Sequence, residues 1–235
     1  MAERSGKVTR TLGQRWFYSF LHILTRFLGV LFYRLRLSGT ENEPQTGGGL
    51  VCANHQSFFD PVLVGLTFQR RLNFLARDTL FKVPLLGALI RFLDAIPLDL
   101  SGSGLSGLKE TLKRLKAEEC VLIFPEGTRS SDGELLRLKP GFCSVARRGN
   151  VPLIPVGIDG AYQVWPRRRK IPSLFGRIAI VVGKPITAEE VKSMTDEELV
   201  AELERRIRTC FDEARRMRGG KPKVESQATE EAASA

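Results

Sequence analysis

The chain has 235 residues, of which 43% are hydrophobic and 26% are charged, and its formal net charge at pH 7 is +10. This length is enough for one large domain with a well-buried core. The composition excludes a disordered chain and a polytopic membrane protein. The surplus of Lys and Arg favours an anionic partner: a nucleic acid, an anionic bilayer surface or a phosphorylated substrate.

The first predicted element is a helix within residues 15–36, RWFYSFLHILTRFLGVLFYRLR. At a helical period its polar side chains fall on one narrow face, and Trp, Phe and Leu side chains spread over the opposite side. His22 and Arg26 near its centre argue against a membrane-spanning helix. The YRLRLSG that follows does not fit a signal-peptide cleavage site.

The density of aromatic and Arg side chains in this helix favours a membrane interface. We therefore predict that residues 1–38 form an N-terminal membrane-associating helical segment, which contacts lipid through Trp16, Phe20 and Phe27. An amphipathic helix that packs on the domain itself is the alternative.

Short apolar runs then alternate with helical patterns, as expected for one α/β domain over residues 39–218 with a central mixed β-sheet flanked by helices. The predicted strands are 50–53, 72–76, 95–98, 120–124, 152–158 and 178–183. The predicted helices between them are about 58–68, 83–93, 104–118 and 138–148.

Two Thr-x-x-Glu capping boxes, at Thr187 and Thr195, predict the starts of two C-terminal helices. The second helix should run to about Arg216 and close at Gly219-Gly220. The polar sequence of residues 219–235 is typical of a disordered tail.

The Cys and His residues are too dispersed to indicate a disulfide framework or a metal site. Several of the cysteines stand in apolar runs, where a small buried side chain is typical. We therefore expect reduced thiols in a protein that faces the cytosol. The residues concerned are Cys52, Cys120, Cys143, Cys210, His22 and His55.

Ligands of α/β sheets bind beyond the carboxyl ends of strands, and the first predicted strand is followed by NHQSFFD, residues 54–60. A histidine oriented by a carboxylate is a good general base near neutral pH. His55 and Asp60 can meet if the histidine lies on the loop and the aspartate lies in the first helical turn. The alternative is that Asp60 only caps the helix, either ahead of Pro61 or in a capping box with Ser57.

The strand at 120–124 is followed by a second polar loop, FPEGTRS, residues 124–130. It combines an acid, a hydroxyl and a guanidinium, and the guanidinium of Arg129 could bind phosphate oxygens in a bidentate manner. An ordinary turn with exposed Glu126 and Arg129 is the alternative.

The chain resembles the glycerolipid acyltransferases typified by 1-acyl-glycerol-3-phosphate acyltransferase. Four blocks are similar to that family's motifs, in the same order along the chain. They are NHQSFFD (54–60), ARDTLFKVPLLGALIRFLDAIPLDL (76–100), FPEGTRS (124–130) and VPLIPVGI (151–158).

The resemblance implies transfer of a fatty acyl group from acyl-CoA or acyl-carrier protein to the free hydroxyl of 1-acyl-glycerol-3-phosphate, giving phosphatidic acid without a cofactor or metal. His55 would remove the proton from the hydroxyl, and Asp60 would orient His55. The acceptor phosphate would be bound by a set of residues in and after the third block: Glu126, Gly127, Thr128, Arg129 and Lys139.

One position departs from the family pattern. The second block commonly ends with a basic residue, and Leu100 stands there. Arg129 and Lys139 could suffice for the phosphate, or the acceptor could differ: another lysophospholipid, glycerol 3-phosphate or an acylated amino-acid lipid. A catalytically silent lipid-binding relative is a further alternative.

A basic cluster follows Tyr162 and Trp165, and no nucleic-acid-binding module accompanies it. We predict that this cluster holds the protein on anionic lipid at the cytoplasmic face of the cell membrane. The partners would then be a lipid surface, lysophosphatidic acid and the acyl donor, with no nucleic acid. The cluster consists of Arg167, Arg168, Arg169 and Lys170.

Overall fold

A computed structural model describes residues 12–84, 86–98 and 105–220. Leu100 and most of the predicted tail, residues 221–235, lie outside the described residues. The strands are β1 (Arg36–Ser38), β2 (Gly49–Ala53), β3 (Leu72–Arg77), β4 (Ile96–Leu98), β5 (Cys120–Ile123), β6 (Leu153–Asp159) and β7 (Ala179–Val182). The α-helices are α1 (Leu12–Tyr33), α2 (Asp60–Gly65), α3 (Leu86–Phe92), α4 (Leu105–Lys116), α5 (Gly141–Gly149), α6 (Ala161–Val164), α7 (Ala188–Ser193) and α8 (Asp196–Arg218).

The strands form one sheet in the order β1-β7-β6-β2-β5-β3-β4. Neighbouring strands are parallel except for β6 and β7, which are antiparallel. The predicted α/β domain with a mixed sheet is therefore confirmed. Because β2, β5 and β6 run in the same direction side by side, their carboxyl ends meet at one edge.

Alternate residues of β2 pack into two hydrophobic clusters, as expected for a strand covered on both faces. Val51 belongs to the cluster that includes α2. Leu50 and Cys52 belong to the cluster that includes α5, α7 and α8. All four cysteines are buried and free, which confirms their assignment as small core side chains.

Helix α8 lies directly against β6. A side chain at Gly157 would come within 2.2 Å of the backbone nitrogen of Phe211, so this crossing needs glycine. Both C-terminal helices begin with the predicted capping boxes at Thr187 and Thr195. Helix α8 ends with Gly219 in the left-handed conformation, φ 91°.

Helix α1 joins the domain at its carboxyl end. The ring of Tyr33 packs against Phe59 at a centroid distance of 5.9 Å, and its hydroxyl donates to the Ser173 carbonyl oxygen at 3.1 Å. Residues 36–38, at the end of the predicted N-terminal segment, form the edge strand β1. Several large apolar side chains of α1 are exposed, and they include Trp16, Phe20, Ile23, Phe27, Val30 and Leu31. None of the helices described here is both long and apolar enough to cross a bilayer.

Candidate active site

His55 and Asp60 lie in contact at the carboxyl end of β2. The Nδ1 atom of His55 is 2.7 Å from Oδ2 of Asp60. A carboxylate oxygen can only accept, so Nδ1 carries the proton and Nε2 is left as the basic nitrogen. Asp60 is completely buried, whereas the His55 side chain remains 19% exposed. The pair therefore has the geometry of a general base with its orienting carboxylate.

The same oxygen of Asp60 also accepts backbone N–H groups from Gln56 and Ser57, each at 2.6 Å. Asp60 is the first residue of α2, and the N-cap position belongs to Phe59, which makes no side-chain cap bond. The alternative in which Asp60 serves only as a helix cap is therefore wrong. Its carboxylate folds the preceding loop back toward His55.

The loop after β5 holds the backbone of His55 on both sides. Glu126 Oε1 accepts from the His55 backbone N–H at 3.3 Å, and the Ser130 backbone N–H donates to the His55 carbonyl oxygen at 2.8 Å. The imidazole stacks on the Phe124 ring with centroids 3.9 Å apart and planes 13° apart. Both polar loops thus contribute to one site, as their positions at adjacent strand ends require.

Glu126 lies beneath this loop with 2% exposure. Burial raises the pKa of its carboxyl to about 8, although hydrogen bonds from the backbone N–H groups of His55 and Leu136 act in the opposite direction. The carboxyl is therefore largely protonated at neutral pH, and it adds little negative charge beside an anionic ligand. Its contacts in the structure are with the backbone of His55 and Leu136.

Arg129 is a half-buried cation at the same edge. Its guanidinium carbon is 3.6 Å from the centroid of the Phe58 ring, a cation–π contact. Burial lowers its pKa from the ordinary value, and the nearby charges of Arg167 and Arg77 act in the same direction. The buried Nη1 atom has no hydrogen-bond partner in the described part of the chain. An orphaned guanidinium with two further arginines nearby is suited to bind an anion.

The other predicted acceptor-site residues surround the turn at Gly127, where φ is +73°. The Lys139 side chain lies across this glycine, and its Nζ atom would be 3.0 Å from an added Cβ. Thr128 is exposed on the same turn. Gly127 thus allows a cation to lie close to the loop that carries Arg129.

The basic cluster is exposed from Arg167 to Lys170. It belongs to the loop between α6 and β7, which contacts α1 through a pair of aromatic rings, Phe32 and Phe175, with centroids 5.8 Å apart. The same loop contacts the site, because the Ser57 hydroxyl donates to the Trp165 carbonyl oxygen at 2.9 Å. The loop therefore connects the candidate lipid-contacting side chains of α1 with the basic cluster.

The family model described as Acyltransferase matches residues 34–159, which is more than half of the chain. The chain belongs to the acyltransferase family. The matched range contains His55, Asp60, Glu126 and Arg129, so the whole contact network around the histidine lies within the family domain.

Several proteins similar to this acyltransferase are named for the same activity. A 1-acyl-sn-glycerol-3-phosphate acyltransferase of Bacillus subtilis is 26% identical over 72% of this chain and 82% of its own length. A chloroplastic one, LPAT1 of Arabidopsis thaliana, is 28% identical over 78% of this chain, which spans about half of that longer protein, 52%. The crystal structure of the 1-acyl-sn-glycerophosphate (LPA) acyltransferase PlsC from Thermotoga maritima has a TM-score of 0.73 at 27% identity, covering 89% of this chain and 84% of that one.

Sequence reasoning missed several residues that support the acyltransferase site. The Asn54 amide donates to the Ile158 carbonyl oxygen at 2.9 Å and accepts from the Ile158 backbone N–H at 2.7 Å. The Gln56 side chain contacts the Gly133 carbonyl oxygen and the Tyr162 backbone N–H. Both residues stand in the NHQSFFD block, but their partners lie 77 to 106 residues away. No local signal could have indicated those contacts.

Proposed function

We propose that this chain transfers a fatty acyl group from a thioester donor to the free hydroxyl of 1-acyl-glycerol-3-phosphate, giving phosphatidic acid in phospholipid synthesis. The observation that carries the proposal is the 2.7 Å contact between His55 Nδ1 and Asp60 Oδ2, at the sheet edge that also holds the orphaned Arg129 guanidinium. A base and an anion site together match an acceptor with a hydroxyl and a phosphate. The activities for which the relatives are named support the same substrate.

In the proposed reaction, His55 Nε2 takes the proton of the acceptor hydroxyl as its oxygen attacks the thioester carbonyl carbon. The imidazolium that forms is stabilised by the buried Asp60 carboxylate. The tetrahedral intermediate then expels the thiolate, and His55 returns the proton to the sulfur. The ester bond replaces the thioester bond with no net change in protons and no covalent acyl-enzyme.

The acceptor phosphate is proposed to bind Arg129, with Lys139 beside it and Gly127 and Thr128 forming the turn. The buried Nη1 of Arg129 lacks a protein partner in the described residues, so a phosphate oxygen would satisfy it. The stacking of Arg129 on Phe58 fixes the plane of the guanidinium for such a contact. The largely protonated Glu126 would hold the loop without repelling the phosphate.

We further propose that the protein works on the cytoplasmic face of the membrane, with the acyl donor being acyl-CoA or acyl-carrier protein. Supporting observations are the exposed Trp16, Phe20 and Phe27 side chains on α1 and the exposed cluster from Arg167 to Lys170. Buried cysteines without disulfides fit a reducing compartment.

The decisive experiment is acyl transfer from labelled acyl-CoA and acyl-carrier protein to a panel of lysolipids and glycerol 3-phosphate in mixed micelles. We expect preference for 1-acyl-glycerol-3-phosphate, and a fall in kcat of about a thousandfold or more in His55→Ala. The matched control is His22→Ala, which removes the other histidine of the chain and should retain activity. Transfer to a different acceptor would contradict the proposed substrate. The absence of transfer to any acceptor would contradict the proposed acyltransferase activity.

A further inference from the structure

A second basic site lies where α1 meets the domain. It is an open cavity of about 590 Å³. None of its lining residues belongs to the candidate acyl-transfer site. Residues that line it include Leu31, Phe32, Arg34, Phe175, Arg177 and Arg218.

The positive charge in this cavity is poorly compensated. Among the described residues, no hydrogen bond or ion pair involves the guanidinium of Arg34 or that of Arg177, and both residues are exposed. Arg218 is paired with Asp159, but that carboxylate is shared with Arg215. Arg36 lies against the same group of arginines. An anionic ligand would therefore meet two guanidinium groups with free donors.

Part of the cavity lining, here called the apolar wall, consists of exposed apolar side chains. Leu31 is 58% exposed and Phe175 is 67% exposed. Phe32 packs against Phe175, so the wall joins the carboxyl end of α1 to the loop before β7. Two more exposed apolar side chains stand on that loop, Ile171 and Leu174. Single exposed apolar residues are ordinary, but exposed apolar side chains in one cavity with unpaired arginines match the acyl chains and the charged headgroup of a phospholipid.

We infer that this cavity binds the phosphate headgroup of an anionic phospholipid, whose acyl chains lie along Leu31 and Phe175. Charge complementarity selects the headgroup, and the apolar wall selects a lipid over a small soluble anion. The inference rests on the proposed membrane contact and is independent of which acceptor is acylated. Such a lipid would be a docking ligand, bound at a place other than Arg129.

Headgroup binding would also fix the loop that borders the active site. The Gly176 backbone N–H donates to the Phe32 carbonyl oxygen at 3.1 Å, and that of Ser173 donates to the Val164 carbonyl oxygen at 2.8 Å. The adjacent residue, Trp165, accepts from Ser57. A lipid at Arg177 would thus be linked through this loop to Ser57, in the same block as His55.

The test is binding of dihexanoyl-phosphatidylglycerol, below its micelle concentration, to the full chain by calorimetry. Arg34→Gln with Arg177→Gln should weaken binding by roughly fivefold for each arginine removed. Arg208→Gln is the matched control, since Arg208 is an exposed arginine on α8 outside the cavity, and it should bind as the unaltered chain does. Equal affinity in the double variant, or an equal loss in the control, would overturn the site.

Further arms identify the ligand class. Inorganic phosphate and CoA are the soluble competitors, and binding of either one as tightly as the short-chain lipid would overturn the lipid assignment. Thermal unfolding of the double variant, compared with that of the unaltered chain, excludes loss of fold as the cause of weaker binding. His55→Ala should bind the lipid normally, so failure of this inference and failure of the proposed reaction give different results.

Discussion

At the scale of single residues, Asp60 is a positioning group as much as an electrostatic one. Three N–H donors converge on its Oδ2 atom, one from the His55 ring and two from the backbone of Gln56 and Ser57. The loop geometry and the tautomer of His55 therefore depend on the same carboxylate. Charge-assisted bonds of this kind are stronger than neutral ones.

Asp60→Asn should preserve the hydrogen bonds from the backbone N–H groups of Gln56 and Ser57. It should remove the negative charge that orients His55 and stabilises its protonated form. The amide oxygen can still accept from Gln56 and Ser57, but the imidazolium loses its stabilising charge. We expect kcat to fall by about 10² to 10⁴ with little change in KM, measured with a saturating thioester donor. Glu189→Gln, on an exposed residue of α7, is the control. A KM effect with unchanged kcat would contradict the role.

The raised pKa of Glu126 predicts that the free energy of unfolding falls as the pH rises. Its pKa is about 8 in the fold and close to 4.5 in the unfolded chain, so unfolding between these values releases a proton. Raising the pH through that window should therefore destabilise the fold, by at most about 1.4 kcal/mol per pH unit.

Glu126→Gln should remove this slope and leave other groups to titrate as before. The free energy of unfolding, measured in urea from pH 5 to about pH 8, should decline less with pH in the variant. A parallel decline in both proteins would contradict the raised pKa of Glu126. The exposed Glu189→Gln serves again as the reference.

The candidate catalytic residues could be proposed from the sequence. The residues that pack against them and hold them in place could not. His55 and Asp60 stand in one short block, and a strand end makes their meeting geometrically reasonable. The ring under His55, Phe124, and the ring under Arg129, Phe58, look like ordinary core residues in the sequence. Stacking partners depend on the tertiary arrangement of loops, which a local pattern does not encode.

At the scale of elements, Asn54 extends the pairing of β2 with β6 beyond the last backbone pair, Ala53 with Val156. Asn54→Ala would leave the buried Ile158 N–H and carbonyl without this partner. We expect a loss of about 2 to 4 kcal/mol in the free energy of unfolding, measured by urea titration. Gln69→Ala, on an exposed side chain, should change it by less than about 0.5 kcal/mol.

Apolar runs predicted six of the seven strands, because buried parallel strands are nearly continuous in Val, Ile and Leu. Strand β1 was missed, since its three residues RLS carry no such signal. The antiparallel direction of β7 could not be predicted either, as strand periodicity is the same in both directions. The helix expected from residue 58 begins at Asp60, because the Asp60 side chain holds residues 56 and 57 in a turn.

At the scale of the whole molecule, two properties would contribute to membrane binding. One is the net charge of +10, and the other is the set of exposed apolar side chains on α1. Salt screens the electrostatic attraction, with a screening length of about 10 Å at 0.1 M, and it does not weaken the apolar contacts. Binding to phosphatidylglycerol vesicles should therefore weaken with added salt, whereas binding to phosphatidylcholine vesicles should not. Vesicle flotation measures both.

Phe20→Ser with Phe27→Ser should weaken binding to both kinds of vesicle, because each large apolar side chain contributes up to about 2 kcal/mol when buried in lipid. Ser19→Ala, at an exposed serine of the same helix, is the control. If the double variant loses affinity only for anionic vesicles, the apolar contribution of α1 is contradicted.

The strand order has a consequence for the time at which the protein becomes active during its synthesis. Strand β5 lies between β2 and β3 in the sheet. The hydrogen-bond partner of the Asn54 side chain, Ile158, lies 104 residues further along the chain. At ordinary elongation rates, roughly 5 to 20 seconds pass between synthesis of His55 and synthesis of Ile158. During that interval the chain from α1 to β2 has been made, whereas the loops that hold the histidine are still incomplete. Under the proposed membrane contact, α1 of a nascent chain is available to a bilayer before the candidate acyl-transfer site is assembled.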